Sequence, residues 1–313
     1  MTFGLATLRA GGAALIVDGK AIKLADHGET RDALALLDDW DAAFPKLADI
    51  AASATPAVAA PDLAAPYMPR QIFCTGANYR KHVIGLIMGD PSMRGADDDA
   101  ATDEERRTKA EKMMDERAKA SLPYCFVKLP SCVVGPTDEV ILPNNVVKPD
   151  WELELGVVIG KRAHHVSPDQ AMAHVAGFVV VNDVTAREHI FRRDGSALGA
   201  DWLSGKCFPT FLPFGPMVVP RQFVADPYDL TIRLSVNGKV YQDESTADMM
   251  INIERQVAYL SDRVVLNPGD VICTGSPYGN GSAFGVYLQP GDVMEGSITG
   301  LGTQRNLCVA EPA

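Results

Sequence analysis

Apolar residues in this chain come mostly in short runs bounded by Gly, Pro, Asn and Asp, a spacing that predicts strands rather than long helices. Beyond residue 66 such runs lie at 71–75, 133–142, 155–160, 177–182, 230–236, 271–274 and 292–298. Few helical patterns separate them. A parallel βαβ layout is therefore disfavoured, and a rolled or barrel-like mixed sheet is expected. Two Pro-Gly-Asp turns, Pro268-Gly269-Asp270 and Pro290-Gly291-Asp292, punctuate the C-terminal strands.

The first 65 residues read as a small separate unit. Ala13-Ala14-Leu15-Ile16-Val17 and Ala21-Ile22-Lys23-Leu24 flank Asp18-Gly19, a dipeptide suited to a tight hairpin turn. Residues 34–50 carry an amphipathic helical period, and an Ala/Pro-rich stretch at 51–69 reads as a linker. The expected fold class is thus α+β and β-rich, with a small N-terminal α/β subdomain at 1–65 and a larger unit at 66–313. One polar segment, 97–120, interrupts what would otherwise be a short strand-to-strand connection. It suits a solvated helix or, beside an active site, a lid.

Composition narrows the function classes. With 313 residues, 47% hydrophobic and 22% charged, the chain can bury a sizeable core. A formal charge of −11 argues against nucleic acid or an anionic membrane as partner. A local cation can still draw an anionic small molecule into one pocket. The six cysteines contain no C-x-x-C pair and fit reduced thiols in the cytoplasm. No basic-then-apolar N-terminal segment and no bilayer-length apolar stretch is present.

One run breaks the apolar pattern: Asp150-Trp151-Glu152-Leu153-Glu154-Leu155. Strand alternation puts Glu152 and Glu154 on one face and both leucines on the other. Adjacent carboxylates on an apolar strand repel and lose hydration, which is costly unless a cation lies between them. Asp183 ends a second apolar run, 178–181, and can add a third oxygen. An isolated E-x-E pair would equally suit an exposed edge, but these flanks are too apolar for one. Three hard carboxylate ligands favour Mg²⁺ or Mn²⁺. Asp150, in phase with both glutamates, could accept a hydrogen bond behind the metal ligands, but its place after Lys148-Pro149 favours a turn residue.

Further motifs stand in order along the chain: Gly76-Ala77-Asn78-Tyr79-Arg80-Lys81-His82, Lys128-Leu129-Pro130-Ser131, Asn182-Asp183-Val184-Thr185-Ala186-Arg187 and Gly205-Lys206-Cys207-Phe208. Val236-Asn237-Gly238, Asp270-Val271-Ile272-Cys273-Thr274-Gly275-Ser276-Pro277 and Gly300-Leu301-Gly302-Thr303 follow. With the acidic run, these resemble the fumarylacetoacetate hydrolase family from residue 71 to about 309. The resemblance implies a β-roll catalytic domain, commonly a homodimer, that binds Mg²⁺ or Mn²⁺ through Glu152, Glu154 and Asp183. It also implies His82 and Lys206 as catalytic groups, with Tyr79, Arg80, Thr274 and Gly275 facing substrate. Many hydrolytic relatives resemble N-Y-x-x-H-x-x-E, where the acid orients the histidine one helical turn away. Gly85 stands at that position here.

The expected function is metal-dependent hydrolysis of a C–C bond in an acylpyruvate of the maleylpyruvate or fumarylpyruvate type, as in aromatic-compound catabolism. His82 would activate water and Lys206 would stabilise the oxyanion. Oxaloacetate decarboxylation or oxo-diacid isomerisation would use the same metal-enolate chemistry; decarboxylation needs no activated water, so the missing acid at Gly85 counts in its favour. A non-catalytic metal- or ligand-binding protein is the alternative of another class.

Overall fold

A computed structural model describes residues 1–59, 61–89, 102–191 and 199–312. The start of the polar segment, 97–101, lies outside the described residues. The chain opens with strands β1 (Gly4–Thr7), β2 (Ala13–Val17) and β3 (Lys20–Lys23), helices α1 (Ala33–Asp38) and α2 (Trp40–Ser53), and strand β4 (Val58–Ala59). Next come β5 (Ile72–Gly76), α3 (Arg80–Gly89), α4 (Asp103–Ala120), β6 (Tyr124–Lys128), β7 (Val133–Val134) and β8 (Val140–Leu142). The middle holds β9 (Pro149–Asp150), β10 (Leu153–Ile159), α5 (Pro168–Ala171), β11 (Val175–Asn182), β12 (Thr185–Ala186), α6 (Arg187–Ile190) and α7 (Trp202–Lys206). The rest comprises β13 (Leu212–Pro213), β14 (Val219–Pro220), β15 (Thr231–Val236), β16 (Lys239–Ser245), α8 (Ile253–Ser261), β17 (Val271–Cys273), β18 (Val293–Ile298) and β19 (Gly302–Ala310).

The Asp18-Gly19 hairpin forms as expected. Both residues take positive φ, 47° and 73°, and Val17 faces Lys20 across the turn. The helical stretch 34–50 is broken at Asp39 into α1 and α2. Asp32 caps the first of these by accepting from the Ala35 N–H at 2.8 Å. The stretch 51–69 is less of a linker than its composition suggests, because β4 pairs with β3 and closes the four-stranded sheet β1-β2-β3-β4.

Two mixed sheets make up the larger part. The first runs β14-β11-β10-β17-β5-β6 and the second β16-β15-β18-β19-β8, each with one parallel pair. One face of β10 and β11 packs Leu153, Leu155, Val157, Phe178 and Val180 against Ile232, Leu234, Met294 and Ile298 of the second sheet. The other face packs Val158, Val179 and Val181 in one cluster with Leu15, Leu36 and Trp40 of the N-terminal segment. Both faces of β10 are therefore dry. Any carboxylate on it must find partners inside the protein.

The described end of the polar segment is helical. Thr102 and Glu105 form a reciprocal capping box at its start. Ala110 and Met114 of α4 pack against Val83 and Ile84 of α3, with Met250 and Ile251 beside them. Arg255 secures the far end by donating to the Ala118 and Ser121 carbonyls. Among the described residues, no helix is long and apolar enough to cross a membrane.

Candidate metal centre and its cavity

The register of β10 and β11 builds the site. Leu153 faces Asn182, and one step further the Asp183 N–H donates to the Glu152 carbonyl at 2.8 Å. Alternation then puts Glu152, Glu154 and Asp183 on the same side, with ligand atoms within 4.8 Å of one another and all three residues buried. This is the arrangement the acidic run predicted.

Among the described residues, three cations surround the carboxylates. Lys206, at the end of α7, places Nζ 2.5 Å from both Glu152 Oε2 and Asp183 Oδ2. Lys128 Nζ donates to Asp183 Oδ1 at 2.7 Å and to the Val184 carbonyl at 2.9 Å. Arg187 bridges Asp150 Oδ2 at 2.8 Å and Glu152 Oε1 at 2.5 Å. Asp150 is no turn residue: it is fully buried and also accepts from the Gly281 and Ser282 N–H groups. The roles of Lys128 and Arg187 escape sequence reading, although both lie inside quoted motifs. A buried lysine or arginine looks like a surface one until its partner is known.

The carboxyls respond unequally. Burial pushes Glu152 up, but Arg187 and Lys206 outweigh it and hold the group well below the usual carboxylate range. Burial pulls Lys206 down, yet Asp183 and Glu152 raise it overall, so its ammonium keeps its charge. Glu154 is the exception. Burial raises it well above the ordinary value, and Asp183, Cys273 and Glu152 push the same way. Its only hydrogen-bond partner among the described residues is the Gly275 N–H, at 2.8 Å. The donor set thus already seats an ammonium between Glu152 and Asp183, and Glu154 presents an oxygen that another positive charge would ionise. Hard oxygen donors with this deficit fit Mg²⁺ or Mn²⁺.

His82, on α3, lines the same cavity as the acidic trio and is buried. Burial lowers its pKa to about 4; Glu152 pulls it up, while Arg187 and Lys206 push it down. Among the described residues, no carboxylate lies within 4.0 Å of its ring nitrogens. Gly85 explains part of this. A Cβ at that position would meet Tyr278 Cε2 at 2.8 Å, so the ring occupies the place an acid would need.

The residues expected to face substrate make other contacts among the described residues. Arg80 points to Asp115 of α4, with Nε 2.9 Å from Oδ1. Thr274 donates its hydroxyl to the Leu155 carbonyl at 2.9 Å, and Tyr79 is fully buried. Gly275 supports Glu154. Its φ of +103° and the closeness of the Thr75 carbonyl to any added Cβ, 2.8 Å, require glycine there. None of the four is among the residues lining the cavity. Ser282 does line it, with a buried hydroxyl that has no hydrogen-bond partner among the described residues.

The cavity has a volume of about 500 Å³. Its lining combines His82, the trio, Arg187 and Lys206 with the apolar or aromatic side chains of Leu86, Tyr124, Phe126, Ile190 and Trp202. A neutral base, a cation-binding trio and a lysine facing one small space can bind a chelating anion and move a proton on it.

Comparison with known proteins agrees with this geometry. The family profile described as Fumarylacetoacetate (FAA) hydrolase C-terminal matches residues 71–309. The chain is 46% identical over 189 residues to oxaloacetate tautomerase FAHD2B, mitochondrial, from Homo sapiens, covering 60% of this chain and 59% of that protein. It is 45% identical over 186 residues to 2,4-didehydro-3-deoxy-L-rhamnonate hydrolase from Sphingomonas sp. (strain SKA58), covering 58% and 64%. Both matches thus span less than two thirds of the relative's length. Among solved structures, fumarylpyruvate hydrolase from Pseudomonas aeruginosa in complex with Mn²⁺ and pyruvate superposes with a TM-score of 0.60 at 27% identity, covering 78% of this chain and 91% of that one.

Proposed function

The chain belongs to the fumarylacetoacetate hydrolase family, and from that footing we propose that it interconverts the keto and enol forms of a 2-oxo acid. Glu152, Glu154 and Asp183 hold Mg²⁺ or Mn²⁺ in this reading, and His82 carries the C3 proton. The observation behind the choice is position 85. Tyr278 packs where an acid supporting His82 would stand, and no other described carboxylate takes its place. Activating water for attack on a carbonyl draws on such a partner, whereas moving a carbon-bound proton needs only a neutral base beside it.

His82 supplies that base, since burial keeps it neutral at ordinary pH. Lys206 sets a fixed ammonium where charge grows on the oxo oxygen as the C3 proton leaves. Ser282 offers its unpartnered hydroxyl to a substrate oxygen. With all groups ionised, Asp150, Glu152, Glu154 and Asp183 against Lys128, Arg187 and Lys206 leave one negative charge, four minus three. A bound divalent cation would reverse that sign and act as a Lewis acid on the oxo group. The human relative carries the name of such a tautomerase.

Hydrolysis of an acylpyruvate of the maleylpyruvate or fumarylpyruvate type is the second reading. The names of the Sphingomonas relative and of the Pseudomonas structure favour it. The two part in one experiment on Mg²⁺-loaded protein. Proton NMR in D₂O follows C3 exchange in 2-oxobutanoate, and product analysis follows pyruvate and maleate from maleylpyruvate. Catalysed exchange with maleylpyruvate left intact is expected, and Glu152→Ala should lose both metal and exchange. Equal release of pyruvate and maleate without catalysed exchange would replace tautomerisation by hydrolysis.

A further inference from the structure

We infer that the substrate, beyond its 2-oxo acid end, carries a planar apolar group, aryl or extended alkenyl, rather than a second carboxylate. This rests on the proposed function and concerns the apolar wall of the same cavity.

Phe126 and Trp202 stack with ring centroids 4.5 Å apart and planes 14° from parallel. Tyr124 closes on Trp202 edge-on at 5.7 Å, and the indole N–H donates to the Tyr124 hydroxyl at 2.8 Å. The polar atom of the tryptophan is thereby satisfied and one face of its ring is covered by Phe126, so the three rings form one continuous apolar surface. Leu86 and the buried Ile190 extend the wall. It begins next to the chemistry, for Lys206 Nζ lies 5.2 Å from the Phe126 ring centre.

The described cations do not favour a dicarboxylate. Among the described residues lining the cavity, only Arg187 and Lys206 are permanently charged, and both are engaged by Asp150, Glu152 and Asp183. A distal carboxylate would lose hydration against Leu86, Phe126 and Ile190 and would meet no described cation that lacks a carboxylate partner. A flat apolar group gains dispersion and ring contacts on the same wall. The volume of about 500 Å³ is also far more than a short oxo acid fills.

Calorimetric titration of the Mn²⁺-loaded protein with pyruvate, 2-oxo-4-phenylbutanoate and 2-oxoglutarate tests this. The phenyl compound should bind about tenfold or more tightly than 2-oxoglutarate. Trp202→Ala should reduce that ratio to about threefold or less, and Phe126→Leu provides the same comparison if the first variant does not fold. Equal or tighter binding of 2-oxoglutarate, with pyruvate still bound, would overturn the inference and leave the proposed function standing. No binding of any of the three, pyruvate included, would overturn both.

Discussion

His82 shows how burial of one side chain reaches into stability as well as chemistry. Its imidazole is pulled from an ordinary 6.5 to about 4, first by loss of hydration and then by Arg187 and Lys206 against Glu152. The unfolded chain keeps the ordinary value. Between about 6.5 and 4 it takes up a proton that the folded protein refuses, so stability is complete above that window and falls as pH drops through it. At about 1.4 kcal/mol per pH unit, the loss approaches 3 kcal/mol by the lower end. Urea unfolding of the metal-free protein at pH 7 and near pH 4 should show this loss, and His82→Gln should lose about 3 kcal/mol less. Parallel pH curves for the two proteins would contradict a neutral buried His82. Residues of this kind were unevenly legible. Glu152 and Glu154 could be put on one face because a period of two is local. Lys128 meets Asp183 from 55 positions away and Arg187 meets Asp150 from 37, and no local period encodes such pairings.

Helix α3 carries the argument to the scale of elements. It holds His82 over the cavity with Gly85 one turn further on, and the missing side chain lets Tyr278 pack against it. In an open helix, alanine is better than glycine by roughly 0.5–1 kcal/mol. Here a Cβ would lie 2.8 and 3.0 Å from two Tyr278 ring carbons, so overpacking should win. Gly85→Ala is expected to destabilise by about 1 kcal/mol in the native background and to stabilise once Tyr278→Ala has removed the ring. A thermal or urea double-mutant cycle reads this; an identical sign in both backgrounds would mean that the ring does not exclude an acid from position 85. Apolar runs found most elements, yet the run 133–142 holds two strands, β7 and β8, with Gly135 and Pro136 between them. The break at Asp39 was equally hidden. Its φ of −126° and ψ of 42° lie outside the helical region, and nothing in the surrounding apolar period marks that.

At the scale of the whole molecule, the first sheet ends on β6, whose outer edge has no partner among the described strands. An unpaired edge offers free backbone donors and acceptors to another chain. This one also exposes apolar groups: Tyr124 is 48% exposed, Val127 54% and Leu129 43%, and Leu203 of the adjoining α7 reaches 63%. Apolar surface gathered along a strand edge suits a self-complementary contact about a two-fold axis. A homodimer, which the sequence resemblance implies, would form on this edge, beside the aromatic residues of the cavity. Light scattering after size exclusion should give twice 33.6 kDa, and Val127→Lys should shift the protein to monomer by setting two like charges against each other across the axis. The formal charge of −11 per chain opposes association at low ionic strength. Added salt should therefore tighten a dimer held by apolar contacts. Dissociation on adding salt would instead point to an interface built from ion pairs, and a wild-type mass of 33.6 kDa in both buffers would remove the dimer altogether.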